Sequence, residues 1–497
     1  MPSQTRRDRL AILLRAVDPD QVPASGASSI VNQLEPVFAR AGRDLVWLAL
    51  CVLRAEFPTA TEVVETARSI VLEGPGVVLE RLSRRAVHAG IAGGFAVRPV
   101  RVVEGAVVVD VHHTARTGLA TGIQRVVRKT IAVWDQAHPI MLVGWGSTFG
   151  ALRELAPFER ENALHGSMPH TAHPRSGEVT IPWRSTYILP ELAIEPERVA
   201  RISALAEFSG NGTFAIGFDC VPLTSAETTA LGMGGAFAKN LAALARFDRI
   251  ATISAAAETE YRGWKRMLSG AGLEGPEVQE VFLATDVLDV DQAGLNAARG
   301  DLVLDGLPLL LCVGSHEPRK NHLAVLNAAE LLWREGRSFC LSFVGGNSWN
   351  GNAFMDELRQ LRDRGRPVQT LSAISDDLLW GGYRVARATV FPSLNEGFGL
   401  PVAESLVAGT PVITSAFGSM QEIASGGGAI LVDPRDDRAL AEAIDVAMFD
   451  EETNARLRRE ASSVVPKSWE QYASELWEFF HATPSAAIGG QTAQIRS

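Results

Sequence analysis

Two glutamates with seven residues between them bracket a glycine-rich loop in the C-terminal half of the chain, Glu396 and Glu404. Gly397 and Gly399 let backbone N–H groups approach a ligand closely. The loop leads to a helix predicted to start near Pro401, whose free N–H groups and dipole attract a diphosphate. We expect Glu404 in the first helical turn, where it can accept hydrogen bonds from the hydroxyls of a ribose. A single glutamate there would only stabilise the helix dipole, but the pair favours a nucleotide site.

Two further positions carry candidate chemistry. Arg319 and Lys320 are adjacent cations that could stabilise the negative charge growing on a departing diphosphate. The alternative is a solvated Arg-Lys pair. Asp219 follows a predicted strand and could accept a hydrogen bond from an incoming hydroxyl, although an aspartate in that position is often a turn or cap residue.

The segment after the first predicted strand is a second glycine-containing loop. Gly118, Thr121 and Gly122 would let the backbone face a phosphate group. Arg125 either adds positive charge to this site or lies on the surface of the following helix, and the sequence does not separate the two interpretations.

Histidines are concentrated in one stretch, residues 153–184, with His165, His170 and His173. The proline, glycine and serine content of this stretch predicts a long loop. A metal site is disfavoured because no nearby cysteine and no helical HxxxH spacing completes a ligand set.

These residues follow short apolar runs that alternate with helical stretches, which is typical of parallel sheets covered by helices. The first series of predicted strands spans 106–110, 140–143, 213–216, 249–253 and 280–283. After a polar stretch, 286–306, the second spans 308–313, 339–344, 388–391, 411–414 and 429–432. Two such series predict two doubly wound domains facing each other, with the binding site in the cleft.

Residues 1–95 differ in composition, being rich in Ala, Leu, Val and Arg, and they are predicted to be helical. Residues 46–51 are apolar all round, which favours the core of a separate bundle; a membrane-surface or partner-binding helix is the alternative. We expect this bundle to recruit a partner or to aid acceptor delivery. At the other end, residues 483–497 are small and polar and are predicted to be disordered.

Composition excludes several classes of protein. The 497 residues are 46% hydrophobic and 21% charged, as in folded globular proteins. A net charge of −10 argues against a nucleic acid partner. The four cysteines are scattered, which predicts reduced thiols and a cytosolic location. The longest apolar run has nine residues, 45–53, against about 20 for a membrane span, and no signal peptide is predicted.

The ordered motifs resemble those of glycosyltransferase family 4, which are retaining, nucleotide-sugar-dependent enzymes with the two-domain GT-B fold. The resemblance covers about 106–480. Its motifs are the EX7E pair at 396–404, a GTxEPRKN-like segment at 313–321, a Tyr-x-x-Ala helix at 383–386, a loop and helix at 418–424, a TGIQRV-containing segment at 110–128 and an HDxxPL-like segment at 218–223.

The resemblance implies an α/β chain of GT-B type, two facing Rossmann-like domains with an N-terminal helical extension. The expected divisions are 1–95 for the extension, 106–290 for the acceptor domain, 307–465 for the donor domain, 466–482 for a C-terminal helix returning towards the acceptor domain, and 483–497 for a tail.

It also implies roles for individual residues. Lys320, Glu396 and Asp219 would be catalytic, and Lys320 is the cation that touches phosphate in the family. The expected donor-binding residues are Gly122, Arg319, Lys320, Glu396, Gly397, Phe398, Gly399, Leu400 and Glu404. No metal and no resident cofactor are expected, because Lys320 and the helix dipole replace the metal.

The chain departs from the family pattern at two places. Phe218 stands where the family has a histidine, for which His112 or His113 could compensate or else be structural. Ser315 stands near the position where relatives often have a second basic residue.

We therefore expect transfer of a hexose, with mannose or a related sugar favoured, to a glycan or lipid-linked glycan acceptor. No side chain stands out as a covalent nucleophile, so same-face attack is expected, with the leaving phosphate taking the acceptor's proton. The resemblance implies a cytoplasmic protein with peripheral contact at the inner face of the membrane, and residues 1–95 as the site for a protein partner.

Two other classes of function are weighed against this one. A non-catalytic relative that binds nucleotide-sugar or glycan and scaffolds a complex is supported by Phe218 and Ser315, but it would not need Glu396, Glu404 and Lys320. A dinucleotide oxidoreductase is disfavoured because no GxGxxG motif follows either first strand.

Overall fold

The chain forms five N-terminal helices followed by two parallel-sheet domains. The computed structural model describes residues 5–92, 98–118, 121–166, 177–346, 348 and 351–482. His170, His173 and residues 483–497, on which the sequence gives expectations, lie outside the described residues.

The extension consists of α1 Arg6–Val17, α2 Ala27–Phe38, α3 Arg43–Arg54, α4 Ala60–Glu73 and α5 Pro75–Ala92. Helices α1 and α4 start at threonine caps: the side chains of Thr5 and Thr59 accept hydrogen bonds from backbone N–H groups three residues on. Helix α3 is buried on all sides from Val46 to Leu53.

The prediction that this bundle is separate is wrong, because its core continues into the first sheet domain. Trp47 of α3 stacks on Trp183 at 6.3 Å between ring centroids, and Phe57 meets Trp145 edge-on at 5.5 Å. Buried Arg9 donates to the carbonyl oxygens of Leu53, at 2.7 Å, and of Arg98. A helix that is apolar all round needs partners on every side, and other helices cover only part of α3.

The first domain contains a seven-stranded sheet in the order β4-β3-β2-β6-β7-β8-β9, parallel except for β4. A two-stranded parallel sheet, β1 Val100–Val103 with β5 Val179–Pro182, lies beside it. The strands of the large sheet are β2 Val107–Asp110, β3 Ile140–Trp145, β4 Leu152–Glu154, β6 Thr186–Leu189, β7 Gly212–Gly217, β8 Arg249–Thr252 and β9 Glu277–Glu280. The helices are α6 His112–Arg116, α7 Gly122–Ala137, α8 Pro157–His165, α9 Pro196–Phe208, α10 Val221–Thr224, α11 Met233–Leu244 and α12 Ala255–Gly270.

The second domain has a six-stranded, all-parallel sheet in the order β12-β11-β10-β13-β14-β15. Its strands are β10 Leu309–Val313, β11 Cys340–Val344, β12 Val368–Leu371, β13 Ala388–Phe391, β14 Val412–Ser415 and β15 Ala429–Val432. Its helices are α13 Gln292–Leu302, α14 His322–Arg334, α15 Asn352–Asp363, α16 Asp376–Val385, α17 Leu400–Val407, α18 Gly418–Ile423, α19 Asp437–Phe449 and α20 Glu451–Ala461.

Strand order reverses between β10 and β13, so the loops that follow these two strands are neighbours at one edge of the sheet. Such a switch point is where ligands bind in open α/β sheets. These are the two loops that carry the Arg-Lys pair and the two glutamates. In the first domain the corresponding switch lies between β2 and β6.

Helix α21, Trp469–His481, crosses back to the first domain. The indole Nε1 of Trp134 donates to the carbonyl oxygen of Ala473 at 2.9 Å, and Phe480 stacks on Phe214 at 5.2 Å. This helix therefore ties the end of the second domain to the outer face of the first.

Three local predictions are wrong. The predicted loop 153–184 contains α8 and β5, because Glu159 caps α8 by accepting from the Ala156 N–H and pairs with Arg153 at 2.6 Å. The polar stretch 286–306, expected to link the two series of strands, contains α13, whose Leu302 packs closely against Gly382 of α16. The strand predicted at 280–283 lies earlier, at β9.

Within the described residues, no helix is both long enough and apolar enough to cross a membrane.

The shared core makes a stability prediction. Trp47→Ala should lower the free energy of unfolding of the first domain by about 3–5 kcal/mol, because it empties space between α3 and Trp183. Thermal melts followed by near-ultraviolet circular dichroism check this, with Val71→Ala, at an 84% exposed position of the same extension, as the control. A chain starting at residue 98 that melts like the full chain would contradict the shared core.

Candidate functional site

The two loops at the switch point are joined by backbone contacts. The N–H of Leu394 donates to the carbonyl oxygen of Arg319 at 2.8 Å, and the hydroxyl oxygen of Ser393 lies 3.0 Å from the same oxygen. The predicted residues of both loops are thereby brought together in the cleft.

Glu396 is held by both predicted cations. Lys320 Nζ lies 2.5 Å from Oε1 and Arg319 Nη1 lies 2.6 Å from Oε2, while the Ser393 hydroxyl donates to Oε1 at 2.7 Å. Burial raises the pKa of Glu396, but Arg319 and Lys320 outweigh it and lower that pKa to about 2. The side chain is therefore an anion at neutral pH.

Arg319 is fixed in the floor of the cleft rather than solvated. Its guanidinium donates to the carbonyl oxygen of Asn395 at 2.6 Å and pairs with Glu317 at 2.8 Å. Burial lowers the pKa of Arg319, but Glu396 and Glu317 raise it further, so the net shift is upward. The alternative of a solvated Arg-Lys pair does not hold.

Glu404 is the fifth residue of α17, so the expectation that it lies in the first helical turn is wrong. Pro401 lies in the first turn of the helix, and Gly399, with a φ of 111°, is the residue before the helix. Glu404 is 3% exposed, and its Oε2 accepts a hydrogen bond from the Tyr383 hydroxyl at 2.8 Å. Burial raises the pKa of Glu404 although Arg125 and Tyr383 act against it.

Arg125 extends across the cleft. It is therefore part of the site and not only a residue on the surface of α7. Its Nη1 lies 2.6 Å from Glu404 Oε1, and its Nη2 lies 2.6 Å from Asp286. Asp286 also accepts from Lys129 Nζ, at 2.9 Å, and from the indole of Trp469. Arg125 thus links the first domain to the second through a buried carboxylate.

Two helix N-termini meet where Arg125 crosses. A Cβ placed on Gly122, the first residue of α7, would lie 3.8 Å from Leu400, the first residue of α17. The backbone N–H groups of 397–400 donate no hydrogen bond to any other described residue. Unpaired N–H groups at a helix start are donors for an anion.

The glycine-rich loop sits directly against the first domain. A Cβ on Gly397 would collide with the carbonyl oxygen of Phe218 and lie 3.0 Å from Asp219 Oδ2. The Ser254 hydroxyl donates to the Gly397 carbonyl oxygen at 2.6 Å, and Phe398 meets Phe282 edge-on at 5.1 Å. Only glycine permits this approach at 397.

Asp219 lies on the opposite wall, where its Oδ1 accepts from the Val221 N–H at 3.1 Å. Burial raises the pKa of Asp219 to about 6, although the charge of Arg319 lowers it. Asp219, Phe218 and Arg319 line one cavity of about 200 Å³ between the domains. The structure therefore brings together all the predicted catalytic and donor-binding side chains around the cleft.

Both histidines that follow β2 have partners within the first domain. His112 is buried and its Nδ1 accepts from the Trp145 N–H at 3.0 Å. Burial, and then the charge of Arg198, lower the pKa of His112 to about 2. The Nε2 of His113 pairs with Glu195 at 2.7 Å. Both therefore support the loop after β2.

That loop rests on a buried ionic network that the sequence analysis missed. Arg198, fully buried, lies 3.1 Å from Asp110 and 2.9 Å from Glu191. Glu191 in turn accepts from the N–H groups of His113 and Thr114. The sequence contains one sign of this network, an aspartate at the end of a buried strand. No sequence pattern points to Arg198 on α9 as its partner.

A second missed contact closes the cleft at its far end. The carboxylate of Glu422 accepts from the N–H groups of Ala255, at 3.0 Å, and Ala256, at 3.2 Å, at the start of α12. In the described part of the chain, no group of three His, Cys, Asp or Glu side chains is placed to hold a metal ion.

The second domain is similar to known proteins. Residues 297–464 match the family model described as glycosyl transferases group 1. The chain is similar to the serotype-specific mannosyltransferase WbdA of Escherichia coli, at 31% identity over 237 residues, 46% of this chain and 29% of that protein. It is also similar to the D-inositol 3-phosphate glycosyltransferase of Corynebacterium jeikeium, at 30% identity over 186 residues, 36% of this chain and 44% of that protein. It thus spans less than half the length of these relatives.

Solved structures agree on the fold. Anabaena Alr3699/HepE in complex with UDP and glucose aligns with a TM-score of 0.56 at 12% identity, over 76% of this chain and 100% of that one. Sucrose-phosphate synthase from Thermosynechococcus elongatus aligns with a TM-score of 0.51 at 17% identity, over 76% of this chain and 98% of that one. The predicted GT-B fold is confirmed.

The ion pair across the cleft can be tested by a double-mutant cycle. Arg125→Met should destabilise the chain by about 2–4 kcal/mol, because it leaves Glu404 buried without its cation. Adding Glu404→Gln should recover at least about 1 kcal/mol. Urea unfolding measures both values.

The control for this cycle is Arg359→Met, which removes an exposed pair with Asp356 and should change stability by less than about 1 kcal/mol. Strictly additive effects of Arg125→Met and Glu404→Gln would show that the two side chains do not interact across the cleft.

Proposed function

Because residues 297–464 match the family model of glycosyl transferases group 1, we propose that this chain transfers a hexose from a nucleotide-diphosphate sugar to a glycan or lipid-linked glycan, with retention. Mannose or a related sugar is the favoured hexose, in view of the names of the E. coli relatives. The observation that carries the proposal is the fixed pair Arg319 and Lys320, which faces Glu396 at the switch point beside two helix N-termini.

The donor diphosphate would lie between Lys320 and the unpaired N–H groups of 397–400. Anions bind well where a fixed cation and a helix N-terminus converge. As the bond to the sugar breaks, negative charge grows on the leaving phosphate, and donors already in place stabilise it without reorganising. In this proposal Lys320 and Arg319 supply the positive charge, and no metal or other cofactor is required.

The ribose would reach Glu404 by displacing Arg125. Arg125 would still have a carboxylate partner after this displacement, because its Nη2 lies 2.6 Å from Asp286. The ribose hydroxyls would then take the place of the guanidinium as donors to the carboxylate, while Tyr383 keeps its hydrogen bond. Nucleotide binding and the contact between the domains would therefore compete for one side chain.

The acceptor would enter from the side of Asp219. With no nucleophilic side chain assigned, the acceptor oxygen attacks on the face that the diphosphate leaves, and the departing phosphate takes the proton of the acceptor hydroxyl. Asp219 orients that hydroxyl by accepting a hydrogen bond from it. Glu396, an anion between two cations, would contact the hydroxyls of the transferred hexose.

A cytoplasmic location with contact at the inner face of the membrane remains part of the proposal, since a lipid-linked acceptor would be met there. Binding of a protein partner through 1–95 also remains a prediction. Its support is three exposed apolar side chains on α4 and α5, Val71, Leu72 and Val77. A purely scaffolding role is not favoured, because it would not need the ordered cations of the donor side.

The lysine gives the sharpest test of the proposed transfer. Lys320→Ala should lower turnover by about 10²–10³-fold, because its charge meets the leaving diphosphate in the transition state. Release of nucleoside diphosphate from a panel of nucleotide sugars measures this. Lys239→Ala, at an exposed lysine of α11, is the matched control and should leave turnover unchanged. A melting temperature that falls together with activity in Lys320→Ala would instead indicate a structural lysine.

Asp219 gives a prediction with a defined pH window. Its pKa in the folded chain, about 6, lies above the ordinary value of 3.8. Between these values the folded chain keeps a proton that the unfolded chain has released, so the contribution of Asp219 to stability falls as the pH rises. Asp219→Asn should therefore be more stable than the natural chain above pH 6, by about 1–3 kcal/mol.

Melting temperatures of both chains between pH 4.5 and 7.5 measure this difference, which should shrink below pH 6. Turnover of the natural chain should fall over the same interval as Asp219 takes up its proton. A difference in melting temperature that does not change with pH would show that Asp219 titrates normally.

A further inference from the structure

The cavity beside Asp219 has mostly apolar walls. It lies at the carboxyl ends of β6 and β7, under α11, and its volume is about 200 Å³. Leu189, Ile216, Met233, Phe237 and Leu244 line it, and Glu317 and Arg319 of the second domain form part of its rim. A cavity of about 150 Å³ holds benzene, so this one accepts a group of at least that size.

Polar side chains also line the cavity, among them Glu191, Thr229, Tyr261 and Asn240. Asn240 lines it from α11 and is 2% exposed, yet its amide makes no hydrogen bond to another described residue. The donor and the acceptor of this amide therefore remain free to pair with an occupant of the cavity. In a wall that is otherwise mostly apolar, this amide indicates an occupant that carries both a hydrogen-bond donor or acceptor and an apolar part.

Three kinds of acceptor group can be compared with these walls. A hydrocarbon chain would fill the cavity but leave the Asn240 amide unpaired. An unmodified hexose would bring several hydroxyls against apolar side chains, each unpaired hydroxyl at a cost. An acetamido group has one donor, one acceptor and one methyl group, which match the Asn240 amide and the apolar walls.

We propose that this cavity binds the acetamido group of a 2-acetamido-hexose residue at the accepting end of the glycan, with Asn240 hydrogen-bonded to the amide of that group. The inference rests on the proposed function, because Asp219 and Arg319 at the rim mark the side where the acceptor hydroxyl meets the donor. It makes Asn240 a residue that determines acceptor specificity.

The test compares binding of three p-nitrophenyl glycosides to the full chain in the presence of nucleoside diphosphate: the N-acetylglucosaminide, the glucosaminide and the glucoside. Saturation-transfer NMR and calorimetry report affinity without requiring turnover. The N-acetylated sugar should bind at least about tenfold more tightly than the other two, with the strongest saturation at its acetamido methyl group.

Asn240→Leu removes the amide at similar volume and should reduce the tenfold preference to less than threefold. Its melting temperature should stay the same or rise, because an unpaired amide is lost, and its affinity for nucleoside diphosphate should be unchanged. Asn296→Leu, at an exposed asparagine of α13, is the matched control and should keep the preference.

Two results would overturn the inference while leaving the proposed function in place. One is intact nucleotide binding with equal affinity for the three sugars. The other is tighter binding of octyl glucoside than of the N-acetylated sugar, strengthened further by Asn240→Leu, which would identify a hydrocarbon site. If the natural chain is folded but does not bind nucleoside diphosphate, the result would instead contradict the proposed function itself.

Discussion

Both glutamates of the cleft are buried carboxylates, and each is paired with a cation from another segment. Glu396 is held by Arg319 and Lys320 from the neighbouring loop, and Glu404 by Arg125 from the other domain. A buried charge without a partner costs several kcal/mol. This requirement keeps the loops after β10 and β13 together and the two domains close to each other.

The same requirement connects nucleotide binding to the contact between the domains. Arg125 has two carboxylate partners, Glu404 on the second domain and Asp286 after β9, so it can leave one without losing its pairing. Gly397 makes the close contact possible, and Glu422 at the start of α12 closes the far end. A few defined contacts across the cleft, together with α21, therefore hold the two domains against each other.

The sequence predicted most of what is local. Strands β2, β10, β11, β13, β14 and β15 were each predicted from an apolar run, and the loops after β10 and β13, which carry most of the predicted donor-binding residues, lie side by side. Strands β1, β4, β5, β6 and β12 were missed. The Arg125–Glu404 pair joins residues 279 apart, and such a contact has no local pattern. The core shared by α3 and the first domain was not predicted for the same reason. A helix that is apolar on every side carries no pattern that shows which elements pack against it.

The measurement that tests the central claim most directly is the anomeric configuration of the sugar that the full chain releases from its nucleotide-sugar donor. Proton NMR spectra are recorded during hydrolysis, before the sugar mutarotates, over a panel of α-linked donors. The account predicts that one donor is cleaved and that the α anomer appears first. First appearance of the β anomer, or a folded chain that neither binds nor cleaves any donor, would contradict it.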